Sequence, residues 1–433
     1  MTVTKNRLVI GATALMVTAV TVTGAGMHLS KSQAFFRESP KELVDEVWQI
    51  IDRTYVDATF NQVDWRAIRK DYLNRSYANQ TAAYDAIREM IGKLDDPYTR
   101  FMDPDEFRNM QVDTSGELTG VGIQLAQDED TKKLIVVSPI EDTPAAQAGI
   151  LPKDVISKID NKSTEGMDVN QAVNLIRGRV GTEVVLTVQR GDQELVFPLK
   201  RARIEIHPVR YSLREGPGGK VGYIRLVQFS SLAPKEMREA IQDLERQQVD
   251  GYILDLRSNP GGLLQASVSI ARLWLKEGEI VSTVSRVGSS DHQRANNSQL
   301  TNKPLVVLVN GGSASASEIL SGALQDNDRA VLVGTKTFGK GLVQSVRPLG
   351  DGSGLAVTIA KYFTPDGNDI NKAGIKPDIE LELTEAQIEA LSRDGGAKIG
   401  TLDDPQFARA LEVLNQKIAA TRGNRAESRV PSP

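Results

Sequence analysis

"PLVVLVNGGSASASEILSGALQ", residues 304–325, reads as three pieces in succession. An apolar run ends in Asn310, Gly311 and Gly312, and small residues then open a helical stretch. A short apolar run closed by turn residues fits a buried strand. The unit recurs. "GYILDLR" (251–257) leads into the turn "SNPGG" (258–262) and the helix "LLQASVSIARLWL" (263–275), and "AVLVG" (330–334) is a third strand. Strand, glycine-rich turn and helix in repetition define an α/β core with its site at the strand ends.

Upstream the texture differs. In "KELVDEVWQIIDRTYV" (41–56), Leu43, Val47, Ile50 and Ile51 recur at helical spacing. "AAYDAIREMIGKL" (82–94) repeats the form, and "DDPYTRFMDPDEF" (95–107) interrupts it with prolines. Residues 40–104 are therefore expected as an N-terminal helical domain. From "SGELTGVGIQLAQ" (115–127) short strands take over, at Leu134–Val137, Val155–Ile159, Val184–Gln189 and Glu194–Leu199, with a helix near Val169–Arg177. The expected domains are then a strand-rich module at 105–195 with two short helices, an α/β core at 201–385, and at 386–433 a helix and polar tail. The tail, "TRGNRAESRVPSP" (421–433), has the composition of a disordered segment.

Composition narrows the chemistry. The 433 residues are 40% hydrophobic and 25% charged, ordinary for a soluble chain of two or three domains. A net charge of −4 with no dense basic run argues against a nucleic-acid partner. Lys5 and Arg7 precede an uncharged run, Leu8 to Gly26, and "SQA" (32–34) offers a cleavage site after Ala34. Residues 1–34 are thus expected to be an export signal, or a membrane anchor if uncleaved. There is no cysteine, which excludes disulfides, thiolate nucleophiles and Cys-metal sites. The histidines are His28, in or beside the leader, His207 and His292, a poor supply for a histidine-based hydrolase.

"GTKTFGKGLVQ" (334–344) nearly matches a phosphate-binding loop, but Gly341 stands where Ser or Thr would hold magnesium. "GLVQSVRPL" (341–349) then alternates, and with "LAVTIAKYF" (355–363) it reads as a hairpin, so Lys340 precedes a strand. Two readings compete for Lys340: an exposed lysine in a glycine turn, or a base. Ser315 likewise has two readings. Ser315-x-x-Glu318 is a capping box, yet backbone N–H groups at a helix start also suit a nucleophile and its oxyanion. A serine needs a base, and a lysine serves when burial disfavours its ammonium form. Gln344, four residues on, can hold the amine. "NPGG" (259–262) is either a plain tight turn or the source of an oxyanion-hole N–H.

Taken together, these residues resemble the carboxyl-terminal processing (tail-specific) proteases, most closely the cyanobacterial and plastid branch. The likeness rests on "GELTGVGIQL", "SPIEDTPAAQAGILPKDVI", "LDLRSNPGG", "NGGSASASEI", "ALQD" and "VGTKTFGKGLVQ", and extends upstream through "LVDEVWQIIDRTYVDATFNQVDW" and "LDDPYTRFM". It covers about residues 40 to 385. The resemblance implies a ClpP/crotonase-like α/β protease core and a Ser/Lys endopeptidase that cuts near substrate C-termini without metal or other cofactor. It makes Ser315 the nucleophile, Lys340 the base 25 residues later, Gln344 its orienting partner, and Asp326 a member of a charge relay or a structural acid. Ala316 and Gly261 would supply the oxyanion hole.

The module at 105–195 resembles a PDZ domain, which binds peptide C-termini by strand addition. Val121, Gly122 and Ile123 would cradle the terminal carboxylate, the plainer reading being a glycine-rich strand entry, and Arg177 reads first as a solvated helix-end arginine and second as a candidate relay. The partner implied is a protein with an apolar C-terminal tail, in the periplasm or thylakoid lumen, with a photosystem II reaction-centre precursor as one such substrate. A non-catalytic PDZ peptide-binding or quality-control factor is the competing reading. The oligomeric state is left open.

Overall fold

The computed structural model describes residues 20–21, 39–128, 131–140, 143–216, 218–288, 290–392 and 397–427. The expected leader, 1–34, lies outside these except for Val20–Thr21. No helix among the described residues is long and apolar enough to cross a membrane. The chain divides into two compact units. One joins the residues up to Thr114 to those from Pro208 onward, and the other is Ser115–His207.

The larger unit is organised by a six-stranded sheet. Label its central strands and their helices β1 (Gly251–Asp255), α1 (Leu264–Trp274), β2 (Leu305–Val309), α2 (Ala316–Asp326) and β3 (Val331–Gly334). The sheet order is Val209–Gly216, Gly219–Leu226, β1, β2, β3, Ile379–Glu380. Only the first pair is antiparallel. Every residue of β1 and β2 is buried, which explains their unbroken apolar runs: helices cover both faces. Helix Ala233–Arg246 with α1 and α2 covers one face, and Phe407, Leu414 and Ile418 of Pro405–Glu427 cover the other. Parallel register aligns Asp255 with Leu308 and Val309 with Gly334. The three turns that follow β1, β2 and β3 therefore leave the same end of the sheet.

A second sheet is built on the hairpin of β4 (Leu342–Pro348) and β5 (Gly354–Phe363). Arg100–Met102 pairs with β5, Phe101 opposite Leu355, and Val20–Thr21 pairs with β4. Helices Pro40–Thr54, Trp65–Asn74 and Gln80–Gly92 share a core with Leu349, Leu355 and Val357. The stretch expected as a separate N-terminal domain thus falls within the same compact unit as the core. Ser39 and Glu42 close a capping box at the first of these helices.

The C-terminal helix runs through Glu427, further than the polar composition from Thr421 suggests. Arg422 anchors its last turns to Asp250 at 2.6 Å. Residues 428–433 lie outside the described set.

One buried ionic cluster crosses the sheet's end. Arg257 binds Asp255 and Asp404, both without exposed surface, and Tyr223 donates to Asp255. Arg257→Ala is expected to cost about 3–5 kcal/mol, because it strands two carboxylates in the interior. Urea denaturation of the variant checks this.

The smaller unit holds an antiparallel sheet, in the order Ile123–Gln127, Leu134–Pro139, Val155–Ile159, Glu183–Arg190, Gln193–Lys200. Helix Val169–Ile176 packs against the edge strand Ile123–Gln127. Glu117–Gly120 and Ala202–Glu205 pair with each other where the chain enters and leaves. The unit accordingly begins later and ends later than the 105–195 read from sequence, since Pro104–Ser115 is a helix. Nothing local in the sequence marks Arg201, yet its guanidinium satisfies the Leu175 and Ile176 carbonyls that end the helix.

Candidate active site

The turn after β2 carries three serines. Two have hydroxyls committed to backbone carbonyls: Ser313 donates to Leu256 and Ser317 to Asn259, both at 2.8 Å. Ser315 lies between them with φ +56° and ψ −112°, a conformation costly for a residue with a side chain. It is fully buried, and its hydroxyl hydrogen-bonds with the Tyr362 phenol from β5. Burial pushes that phenol well above its ordinary value.

Glu318, one turn into α2, fixes this geometry. Its carboxylate accepts from Ser315 N–H (2.8 Å), as the capping box anticipates. It also accepts from Gly339 N–H (2.7 Å), Lys340 N–H (2.8 Å) and Thr337 Oγ1 (2.6 Å). One buried carboxylate thus binds the Ser315 turn to the lysine loop. Burial pushes its carboxyl up, while these four donors pull it down. The cap was legible in sequence; the bridge to residues 337–340 was not, because those donors belong to another loop.

Lys340 ends the loop after β3. Its ammonium stem is 2% exposed, and Nζ has no hydrogen-bond partner among the described residues. Nζ stands 4.5 Å from the centre of the Tyr98 ring. Burial, with the Arg100 charge second, lowers its pKa to about 7 against the opposing charges of Asp96 and Glu318. The exposed-lysine reading is excluded by burial. Gly341 has a steric reason: a Cβ there would lie 2.5 Å from Asn371 N. Tyr362 donates to the Lys340 carbonyl, so one phenol touches both the serine and the lysine loop.

Three expected residues have other partners in the structure. Gln344 is buried, but it makes no hydrogen bond to Lys340: its Nε2 faces Thr358 at 3.4 Å and its Oε1 has no partner among the described residues. Asp326 lies at the far end of α2 from Ser315, about 16 Å along the axis at 1.5 Å per residue. There it accepts from Asp366 N–H, so the structure keeps it out of the Ser315–Lys340 cluster. Gly261, at φ +102°, packs so closely that a Cβ would sit 2.9 Å from Ala316 N. Its N–H, however, donates to Asn259 Oδ1 at 2.9 Å. Of the two expected oxyanion donors, Gly261 is therefore engaged, while Ala316 opens α2. Asn259 also ties the turns together, its carbonyl accepting from Ala314 N–H and Ser317 Oγ.

In the smaller unit, Val121 and Gly122 form the entry to the edge strand and Ile123 begins it. The Val121 carbonyl accepts from Ala145 N–H and the Gly122 carbonyl from Ile140 N–H, which shapes the loop. Arg177 caps helix Val169–Ile176, its N–H donating to the Val173 carbonyl.

Comparison with known proteins agrees with this architecture. Residues 220–381 match the model of peptidase family S41, 135–190 that of a PDZ domain and 36–92 that of the tricorn protease C1 domain. The carboxyl-terminal-processing protease of Synechocystis sp. is 46% identical over 92% of each chain. Carboxyl-terminal-processing peptidase 2, chloroplastic, of Arabidopsis thaliana is 41% identical over 87% of this chain and 74% of its own. The solved photosystem II D1 C-terminal processing protease is 37% identical, covers 80% of this chain and 94% of its own, and has a TM-score of 0.55. The chain belongs to peptidase family S41, among the carboxyl-terminal-processing proteases. It is a peptidase with a PDZ domain, and its substrate is a protein.

Proposed function

We propose that this peptidase cleaves by a serine–lysine mechanism, with Ser315 as nucleophile and neutral Lys340 as general base. The observation that carries the reading is a buried lysine amine with no hydrogen-bond partner among the described residues, on a loop that Glu318 joins to the strained Ser315 turn. The neutral amine takes the Ser315 proton as Oγ attacks the carbonyl carbon, then returns it to the leaving amine. Water, activated by the same lysine, releases the acyl-enzyme. Ala316 N–H stabilises the oxyanion. Gly261 joins it only after exchanging its Asn259 partner for the substrate oxygen.

The PDZ domain recognises an apolar, uncharged C-terminus, whose carboxylate the N–H groups of Val121, Gly122 and Ile123 receive. The peptide adds to the edge strand Ile123–Gln127, beside helix Val169–Ile176. The substrates are exported proteins in the periplasm or thylakoid lumen, reached through the leader at 1–34. Likeness to the D1 processing protease favours the C-terminally extended photosystem II reaction-centre precursor among them.

The test is trimming of a protein that ends in an apolar, uncharged tail. Its kcat should rise with pH through about 7 and then level, because Lys340 acts only when deprotonated. A rate that is flat from about pH 5 to 9 would remove the lysine base from the mechanism. Amidation of the tail should raise KM, and unchanged KM would remove carboxylate capture.

A further inference from the structure

"LDDPYTRFM" (94–102) follows helix Gln80–Gly92 and ends in the strand Arg100–Met102, and it reaches the lysine. Tyr98 lies over Nζ, and Arg100 and Asp96 act on its charge. Asp96 has the most specific contacts. Its Oδ1 accepts from Tyr98 N–H at 3.0 Å, and its Oδ2 accepts from Thr99 Oγ1 and Thr358 Oγ1, each at 2.7 Å. Thr99 Oγ1 in turn accepts from Thr358 N–H. Burial and the nearby Asp96 and Asp57 charges push the Tyr55 phenol up.

Hydrogen-bond polarity can be followed outward from the carboxylate. An ionised carboxylate only accepts, so the single Thr358 proton points at Asp96. Thr358 Oγ1 is left with lone pairs alone for Gln344, which lies opposite it across the β4–β5 ladder. It must therefore meet the amide nitrogen of Gln344, as it does at 3.4 Å. That choice turns Gln344 Oε1 the other way, where, like Lys340 Nζ, it is buried and has no partner among the described residues.

We infer that Asp96 and Thr358 are positioning residues that set the Gln344 amide so that its oxygen, not its nitrogen, is offered to the Lys340 amine. This rests on the serine–lysine reading above. An amide oxygen accepts one amine N–H and leaves the nitrogen lone pair free for the Ser315 proton. The reversed amide would donate to that lone pair and occupy it. A short turn ahead of the strand Arg100–Met102 thus controls a side chain that lies roughly 250 residues later in the chain.

The groups that face Lys340 are Asp96, Tyr98 and Arg100 from this segment, Glu318 from α2 and Tyr362 from β5. Among them, Asp96→Asn removes a negative charge that favours the ammonium. Its amide can also donate to Thr358, which reverses the relay. Both effects move the rising limb of kcat against pH toward acid, while kcat on the plateau falls about 10-fold or more. The lost charge alone moves the limb, so the relay itself is read from the fall of the plateau in folded enzyme and from the Thr358 pair.

Thr358→Val keeps the strand shape and the charge but removes the hydroxyl. Its kcat should fall about 10-fold with KM unchanged, and Thr358→Ser should recover most of that loss. The full chain is assayed on a quenched peptide with an apolar, uncharged C-terminus, with Ser315→Ala and Lys340→Met alongside. Equal losses in Thr358→Val and Thr358→Ser, or wild-type kcat in Thr358→Val, overturn the inference. An unmoved limb in folded Asp96→Asn also overturns it, and if that variant does not fold, the Thr358 pair decides. Persistent cleavage by Ser315→Ala or Lys340→Met would instead overturn the mechanism on which it rests.

Discussion

Ser315→Ala is expected to reduce kcat for tail trimming by at least about 10⁴-fold, with KM little changed. No neighbour can replace the lost hydroxyl. Ser313 and Ser317 already donate to the Leu256 and Asn259 carbonyls. Alanine carries the same Cβ into φ +56°, so the backbone strain of the turn is retained and the fold should not relax. Glu318 holds that backbone through the Ser315 N–H, which alanine also has. The variant should therefore bind substrate and stay folded while failing in chemistry. Single-turnover kinetics and a binding isotherm on the same tailed protein check both halves. Trimming at the wild-type rate would dismiss Ser315 as nucleophile.

Lys340→Met should lower kcat by about 10³-fold and, at acid pH, raise stability. The two effects have one origin. The lysine titrates near 10.5 when unfolded and at about 7 in the protein, chiefly because it is buried. Between those values the unfolded chain binds more protons, so stability rises with pH across the window. Below about 7 the folded state carries the whole penalty of a buried ammonium. Methionine carries none. The variant should exceed the wild type by on the order of 3–5 kcal/mol near pH 6, and the gain should fade toward pH 10. Denaturation midpoints at the two pH values measure it. Equal gains at both would mean that the lysine does not titrate low.

The strands and turns of the core were legible because each is a local pattern. An apolar run closed by "NGG" or "SNPGG" has one reasonable structure, and parallel register then brings the ends together. The turns and the scarcity of histidine pointed toward a serine–lysine pair, and the family resemblance gave Ser315 and Lys340 as its members. What escaped the sequence were the hydrogen-bond partners. Glu318 looked complete as a cap, and nothing local foretold that Gly339 and Lys340 would share its carboxylate. Nor did anything local foretell that the Gln344 nitrogen would face Thr358, itself held by Asp96 from a distant segment. Asp326 is near Ser315 in sequence and far along a rigid helix. Gly261 was placed correctly beside Ala316, but the engagement of its N–H by Asn259 depends on a rotamer.

The Tyr98 ring over Lys340 has a consequence for where this enzyme can be cut. The peptidase family match, 220–381, contains both Ser315 and Lys340, yet the lid over the amine comes from residue 98. A truncation at that boundary would keep the reacting atoms and admit water to the lysine. Its amine would return toward ordinary basicity and stay protonated at neutral pH. The smallest catalytic fragment is therefore defined by solvent exclusion, and it must include a segment that a family boundary leaves outside.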